Sequence, residues 1–463
     1  MVIQLNAMAR QLQTLFSQDA DRLAHQAHLI RRQRQLTGSA FAQGLVFGWL
    51  DKPQASLDEL VVCLARAGVR LKPQSLDQRF SPAAAEFFRL LLGQALGQAV
   101  AASDRSAVPL LRRFRGVYLL DSTLISLPAA LAGLLPGTGG KNDAPACQAS
   151  LKITVRFELA AGCLDGVHLN PGKTADAKTA LQQAPLPQGA LRLADLGFFD
   201  LDVLHGYDSQ GVYFISRPAT NLVVYDGQGR KWKLARYLAR QRRDRLDEWV
   251  WAGSGQKLHC RLLAIRCPEE VAAGRRDQAS KEAQDHGRLA SEERLQLCGW
   301  TVFISNVPRW LLSLQQAWVL YRVRWQVELL FKLWKSDGQI DQSRSDKPYR
   351  VLAEVYAKLL GMVVQPWLLL CSGGSAFSQR SQRQAARAVR KQVSHVAAVL
   401  HRSAELVVAL GVMARMVQAA GQVNRRRGRP STYQTLLDPD HDGLCCDAEH
   451  SSEQAQAGCK PLN

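Results

Sequence analysis

Acidic residues are scarce in this chain, and so is every cysteine pattern that recurring chemistries use. Its 463 residues hold 59 Lys and Arg against 40 Asp and Glu, a formal charge of +19 with His neutral. Such an excess points to a polyanionic partner, nucleic acid ahead of a membrane surface. The ten cysteines form no CxxC pair, and only Cys445 and Cys446 are adjacent. That spacing excludes a zinc finger or a disulfide framework and fits reduced thiols in a cytosol. No basic flank leads into an apolar stretch at the start, so no signal peptide is predicted. Long hydrophobic runs are missing too. The most apolar, 359–371, covers 13 residues and contains Gln365-Pro366, too short for a bilayer. The expected location is the cytoplasm, with the nucleoid, and no membrane.

What is present suits a globular chain of two or three domains, with 47% hydrophobic residues and length enough for a sizeable core. Residues 431–463 carry six acids and one base, so the first 430 carry +24, the chain's +19 less the tail's −5. Residues 1–103 read as helices. Ser56-Leu-Asp-Glu59 is a capping box, and Ser81-Pro82 opens a long apolar helix. Between them a turn at 69–73 and a short polar helix at 74–80 give a helix-turn-helix outline, a form that plain bundles share. If it reads DNA, then Gln74, Gln78 and Arg79 do so.

After residue 103 the texture changes. An apolar run at 116–121 ends in Asp121, an alternating strand at 151–159 has a hairpin partner at 163–168, and 174–183 reads as a helix. A second apolar strand, 190–195, ends in Asp195. A helix at 200–207 and a strand at 211–216 follow. A meander followed by strand–helix–strand makes an α/β fold, a mixed sheet with helices on its faces. The Gly- and Pro-rich 133–143 is a loop. Residues 218–298 break the pattern with four short strands, a basic stretch at 236–245 with five Arg, and a charged helical piece at 275–297: a β-rich insertion. A core strand returns at 299–306. Helices occupy 347–424, followed by an Arg-rich hinge at 425–430 and an acidic tail of disordered composition.

From Ser313 a helix runs through Lys335. At about 100° per residue, Tyr321, Arg324, Glu328, Lys332 and Lys335 fall within an arc of roughly 80°. Leu320, Val323, Val327, Leu330 and Trp334 line the opposite, core-facing side. One acid thus stands in a basic and aromatic stripe. The same spacing fits a solvated face with i,i+4 ion pairs. Three acids on core elements, Asp121, Asp195 and Glu328, add a second reading. Carboxylates at strand ends are rigidly placed, and hard divalent cations such as Mg²⁺ take oxygen ligands while keeping sites for phosphate and water. Two such ions stabilise both oxygens of a phosphodiester displacement.

Tyr321-x2-Arg324-x3-Glu328-x6-Lys335 resembles the Y-R-E-K motif of the insertion sequence 4 family of DDE transposases. Asp121-Ser-Thr and Asp195-Leu-Gly-Phe-Phe resemble the surroundings of that family's two aspartates; Phe198 stands where many relatives have Tyr. The likeness runs from Ser75 to about residue 372. It implies an RNase-H-like core split by a β insertion: a helical DNA-binding domain at 1–103, the core at 104–217 and 299–346, the insertion at 218–298, C-terminal helices at 347–424, and hinge and tail at 425–463. It further implies that Asp121, Asp195 and Glu328 hold two Mg²⁺ ions, with Mn²⁺ an alternative. Arg324 and Lys335 would grip terminal phosphates, Lys332 would add a contact, and Tyr321 would orient the backbone. Trp300 and Trp325 would stack on an extruded base. The implied partners are double-stranded DNA, as transposon ends and as target, and a second copy of the chain in a synaptic complex. The implied reaction is cut-and-paste transposition. A DNA-binding derivative without catalysis, and a metal nuclease without strand transfer, are the other readings.

Overall fold

The computed structural model describes residues 2–32, 35–98, 108–138, 148–255, 257–285, 287–370, 382–420 and 432–440. The N-terminal stretch is helical: α1 (Val2–Thr14), α2 (Ala20–Gln26), α3 (Gly38–Asp51), α4 (Leu57–Arg66), α5 (Pro73–Asp77), α6 (Pro82–Gly97) and α7 (Pro109–Arg112). Then come β1 (Val117–Leu127), β2 (Ala149–Glu158), β3 (Cys163–Pro171), α8 (Ala180–Gln183), β4 (Leu191–Ala194), α9 (Leu201–Ser209) and β5 (Tyr213–Ser216). The insertion supplies β6 (Val223–Tyr225), β7 (Lys231–Lys233), α10 (Leu234–Ala239), β8 (Arg245–Ala252), β9 (Leu258–Arg266), α11 (Glu269–Asp285) and α12 (Glu292–Leu297). The chain continues with β10 (Trp300–Ser305), α13 (Leu314–Val323), α14 (Trp325–Ser336), α15 (Pro348–Leu370), α16 (Gln382–Ala398), α17 (Ser403–Ala420) and α18 (Thr432–Leu437). The expected α/β class, mixed strands with flanking helices and a β-rich insertion, is the observed one.

These elements form two units. The first takes Met1–Arg112, Tyr118–Leu181 and Trp325–Arg429. Its helical core is built on α3, buried along nearly its whole length, with α15 packed on α3 and α6, and α1 on α17. Gly38 permits the α2–α3 approach: a Cβ there would lie 2.4 Å from Ala24 Cβ. Ser56 and Glu59 form the capping box at the start of α4, and Ser81 caps α6. α15 is long and apolar enough to cross a membrane, yet 94% of that stretch is buried inside the protein. Pro366 lies within this helix instead of ending it. In the same unit β1 pairs with β2 and β2 with β3, both antiparallel.

The second unit takes Arg113–Val117, Gln182–Arg324 and Pro430–Asn463. Its strands run in the order β4-β5-β10-β9-β8-β6-β7. Only β4 and β5 are parallel, joined by α9 as a crossover. One face of β6, β8 and β9 buries Val224, Leu246, Val250, Leu258 and Cys260 in a core that reaches Trp300 and Ile304 of β10.

Several expectations need correction. Asp121 does not end a strand: β1 continues to Leu127, because Ser122–Leu127 finds partners along β2. Residues 174–183 make a 3-10 turn (Asp176–Lys178) and the single turn α8. The long helix expected from Ser313 is interrupted at Arg324, which separates α13 from α14. Part of the tail is ordered as α18, packed on α13. The hinge at 425–430, residues 139–143 of the expected loop and the tail beyond 440 lie outside the described residues.

Candidate active site

Asp195 follows directly on β4, whose four residues are all buried. The parallel register pairs Ala194 with Ser216, so the next residues, Asp195 and Arg217, leave the same end of the two strands. Asp195 begins the 3-10 turn Leu196–Phe198. Behind that turn, Arg192 is buried at 2% exposure and donates to Gln182 Oε1 at 2.7 Å. Burial draws its guanidinium down to about 10.

Helix α13 brings the next groups. A Ser313–Gln316 capping box starts it, and Phe303 of β10 packs against Trp318 and, at 4.3 Å between ring centroids, Tyr321. The Tyr321 hydroxyl donates to Asp195 Oδ1 at 3.2 Å. Arg324 lies over the Tyr321 ring at 5.9 Å. Burial would raise the Asp195 carboxyl, but Arg324, Arg217, the Leu196 amide and the Tyr321 hydroxyl together hold it below the ordinary carboxylate range. Burial, reinforced by the Asp195 charge, pushes the Tyr321 phenol up. Asp195 therefore stays an anion and Tyr321 a neutral donor.

Two of the residues expected to meet DNA are buried. Tyr321 is 6% exposed; it steadies Asp195 and does not present a ring to solvent. Trp300 is likewise 6% exposed, with the Arg266 guanidinium 4.4 Å from its ring. Every residue of β10 is buried, so alternation does not set Trp300 apart from its neighbours.

In the first unit, α14 turns Val327, Phe331 and Trp334 inward. Glu328 is half-buried in its first turn, where an acid suits the helix dipole. Trp325 is half-buried, with Lys332 Nζ 4.1 Å from its ring; Lys332 is exposed and Lys335 half-buried. The C-terminus of α14 is clamped by α16: Arg383 Nε donates to Asp337 Oδ2 at 2.9 Å, and Arg390 Nη2 to the Asp337 carbonyl at 2.6 Å. On β1, Asp121 Oδ1 accepts from the Ser122 amide at 2.8 Å. Ser122 Oγ donates to Asp176 Oδ1 at 2.7 Å, and the buried Lys152 donates to the same oxygen at 2.9 Å. Arg79, with Gln74 and Gln78, is exposed beside α5, while Asp77 anchors that turn by accepting from Arg350 at 3.0 Å.

The sequence reading missed Arg217, Lys152, Ser122 and Asp176. Arg217 had a signal: the apolar strands before 195 and 217 end in opposite charges. Asp176 had none, since its place depends on a turn. The Asp195 carboxylate, held ionised, is an oxygen donor of the kind a hard divalent cation takes. Asp121 and Glu328 belong to the first unit and Asp195 to the second. Among the described residues no group of three or more His, Cys, Asp or Glu is gathered to hold a metal ion.

One consequence concerns pH. A depressed carboxyl keeps its charge down to lower pH and loses it only as pH falls through the folded-state value. Arg324 is the strongest charge lowering Asp195. Arg324→Ala should therefore raise the pH at which Asp195 loses its charge, read by NMR of its labelled carboxyl carbon. An unmoved titration would show that Arg324 does not hold the charge.

Comparison with known proteins shows the family. The family described as "Transposase DDE domain" matches residues 112–363, more than half of the chain and all three acids. The transposase for insertion sequence element IS231B of Bacillus thuringiensis subsp. berliner is 27% identical over 367 residues, 74% of this chain and 75% of that one. The transposase for insertion sequence element IS1151 of Clostridium perfringens is 26% identical over 377 residues, 76% and 78% of the two chains. Among solved structures, a cryo-EM structure of the piggyBac transposase synaptic complex with hairpin DNA aligns over 97% of this chain and 88% of its own, with a TM-score of 0.45 and 9% identity. On the family match and its bacterial relatives, the chain belongs to the DDE transposases, enzymes that cut and transfer DNA strands.

Proposed function

We propose that this transposase belongs to the insertion sequence 4 group, binds the terminal inverted repeats of its own element and moves it by cut-and-paste transposition. The observation that carries the reading is the convergence of Tyr321 and Arg324, two residues of the Y-R-E-K spacing, on Asp195. A shared spacing with no common function gives no reason for one of its side chains to hydrogen-bond, and for the charge of another to favour, the carboxylate that the motif requires.

In this reading Asp121, Asp195 and Glu328 would hold the divalent ions that the family uses, two Mg²⁺ with Mn²⁺ as a substitute, which would supply Lewis-acid stabilisation of the charge developing in phosphodiester displacement. The chain's own part is to keep Asp195 ionised through Arg324 and Arg217 and to fix its direction through the Tyr321 hydroxyl. Water cleaves the P–O3′ bond at the element's end and leaves a 3′-hydroxyl. That hydroxyl then attacks a target phosphodiester, forming one P–O bond as another breaks. Lys332 and Lys335 on α14 lie along the DNA backbone as point charges, with Arg324 offering a fork. Trp325 stacks on a displaced base, and Arg79 with the α4–α5 turn contacts the end sequence. The helical segment 1–103 is the DNA-binding domain and 104–217 with 299–346 the RNase-H-like core. The chain works as a dimer in the bacterial cytoplasm.

The test is incubation of the purified chain and Mg²⁺ with a duplex carrying the inverted repeats that flank the reading frame. Nicks with 3′-hydroxyl ends and joined target products are expected. Nicks without joining would indicate a nuclease, and binding without nicks a non-catalytic derivative. Lys335→Ala should weaken binding alike for all sequences and lower the salt slope by about one counterion. A change confined to one end sequence would remove Lys335 from the backbone.

A further inference from the structure

The insertion carries an aromatic surface that the catalytic reading does not use. In β8, Leu246, Val250 and Ala252 are buried, whereas Trp249 and Trp251 point the other way at 38% and 46% exposure. His259 of β9 lies between them: its ring centroid is 4.8 Å from that of Trp249, at 26°, and 4.6 Å from that of Trp251, at 33°. Trp251 is paired with His259 on one side and with Tyr225 of β6 on the other, and Tyr225 with Lys231 of β7. Directly paired residues of antiparallel strands share a face. The row Lys231–Tyr225–Trp251–His259 therefore crosses four strands, with Trp249 beside it. Lys257 Nζ stands 3.9 Å from the Tyr225 ring centroid.

Two exposed indoles with an imidazole between them serve cross-strand packing only in part, because each keeps a large open face. Charge decides what suits that face. Lysines flank the row, and Asp247, the acid on this side of β8, is bound by Arg261 and Arg309. A phosphate approaching the row meets cations and an acid already neutralised. A row of rings stacked on one another and exposed on one face of the strands does not cage a quaternary ammonium. Duplex DNA keeps its bases stacked on each other and offers only phosphates and groove edges. An unpaired strand offers π faces and phosphates together, and aromatic platforms edged with cations bind it with little regard to sequence. We propose that the outer faces of Trp249 and Trp251, with Tyr225 in the same row and His259 packed between the indoles, form a stacking platform for unpaired nucleobases of a DNA strand, with Lys231 and Lys257 beside its phosphates. None of these six residues is one of the three acids.

Anisotropy of a fluorescent oligothymidylate, titrated with the full chain in EDTA, tests the platform. Replacing Trp249 and Trp251 together by Ala should weaken binding by about ten-fold or more, because each stacked base contributes strongly. Trp251→Phe, which keeps a stacking ring, should lose far less, and affinity for a duplex of equal length should barely change. Unchanged single-strand affinity in the double variant, or an equal loss on the duplex, overturns the proposal. In case the Ala variants fold poorly, the unaltered chain can be irradiated with an iodouracil oligonucleotide. Cross-links should map to 223–225, 245–252 or 258–266, and cross-links found only elsewhere would end the idea. Binding without metal needs no cleavage. A chain that passes here but never nicks element ends contradicts the transposition reading alone, and the opposite pair of results contradicts the platform alone.

Discussion

The Glu328→Gln chain is expected to cleave element ends at least about 10³-fold more slowly than the parent, and to bind those ends as well as before. An ion stabilising the charge of a phosphoryl transition state contributes several kcal/mol, and each 1.36 kcal/mol is a factor of ten in rate. Gln keeps the volume and a carbonyl oxygen but loses the charge that holds the cation. The fold should survive, because Glu328 is only half-buried while Val327, Phe331 and Trp334 anchor α14. Asp195→Asn should behave alike. Its amide oxygen can still accept from the Tyr321 hydroxyl, yet Arg324 and Arg217 then face a neutral group. Cleavage and binding read on the same preparations check this, with circular dichroism to verify folding. Residual cleavage within ten-fold of the parent would remove these acids from the chemistry.

A second large effect concerns stability. Lys358 and Glu354 on α15 are 2% and 3% exposed, and their side chains meet at 2.7 Å. Lys358 also donates to the carbonyls of Gln339 and Gln342 at 2.9 and 2.8 Å, fastening the turn after α14, in which Gln339 has a φ of 46°. Glu354 accepts further from Ser343 at 2.7 Å. Burial lowers the Lys358 ammonium and Glu354 opposes that shift. Lys358→Met preserves length but strands the carboxylate in the core, at a cost of about 3–5 kcal/mol. Adding Glu354→Gln removes the stranded charge and should recover part of the loss. A chain of this size does not unfold in one step, so hydrogen exchange of the α15 amides is the measurement. Unaltered exchange in Lys358→Met would show that the pair is not a stabilising contact.

Local chemistry read the element starts well. Ser56, Ser81 and Ser313 cap their helices as their side chains predict, because capping is decided within four residues. Alternation likewise exposed most strands of the insertion. What failed depended on distant partners. The end of β1 is set by β2, about thirty residues along, and not by Asp121 itself. A wheel drawn on a straight helix places Tyr321 with the lysines, but Arg324 interrupts that helix, and neither Pro nor Gly occurs between 321 and 328 to announce it. Trp300 looked available because a lone strand does not reveal whether one of its faces or both are covered. Of the candidate site, Asp195, Tyr321 and Arg324 were readable as residues of a spacing, though the Tyr321–Asp195 hydrogen bond was not. Arg217, Asp176 and Lys152 were not, since each gains its place only when turns and strands assemble.

The division of the chain has a consequence for its synthesis. Helices α3 and α6 of the first unit pack on α15, yet α15 starts at Pro348 and α6 ends at Gly97. At ~5–20 residues per second, a ribosome takes ~12–50 s to cover the gap. Through that interval the apolar flanks of the early helices lack their final partner, and any product that stops before α15 never acquires it. Premature termination should therefore yield insoluble fragments and no free-standing amino-terminal module.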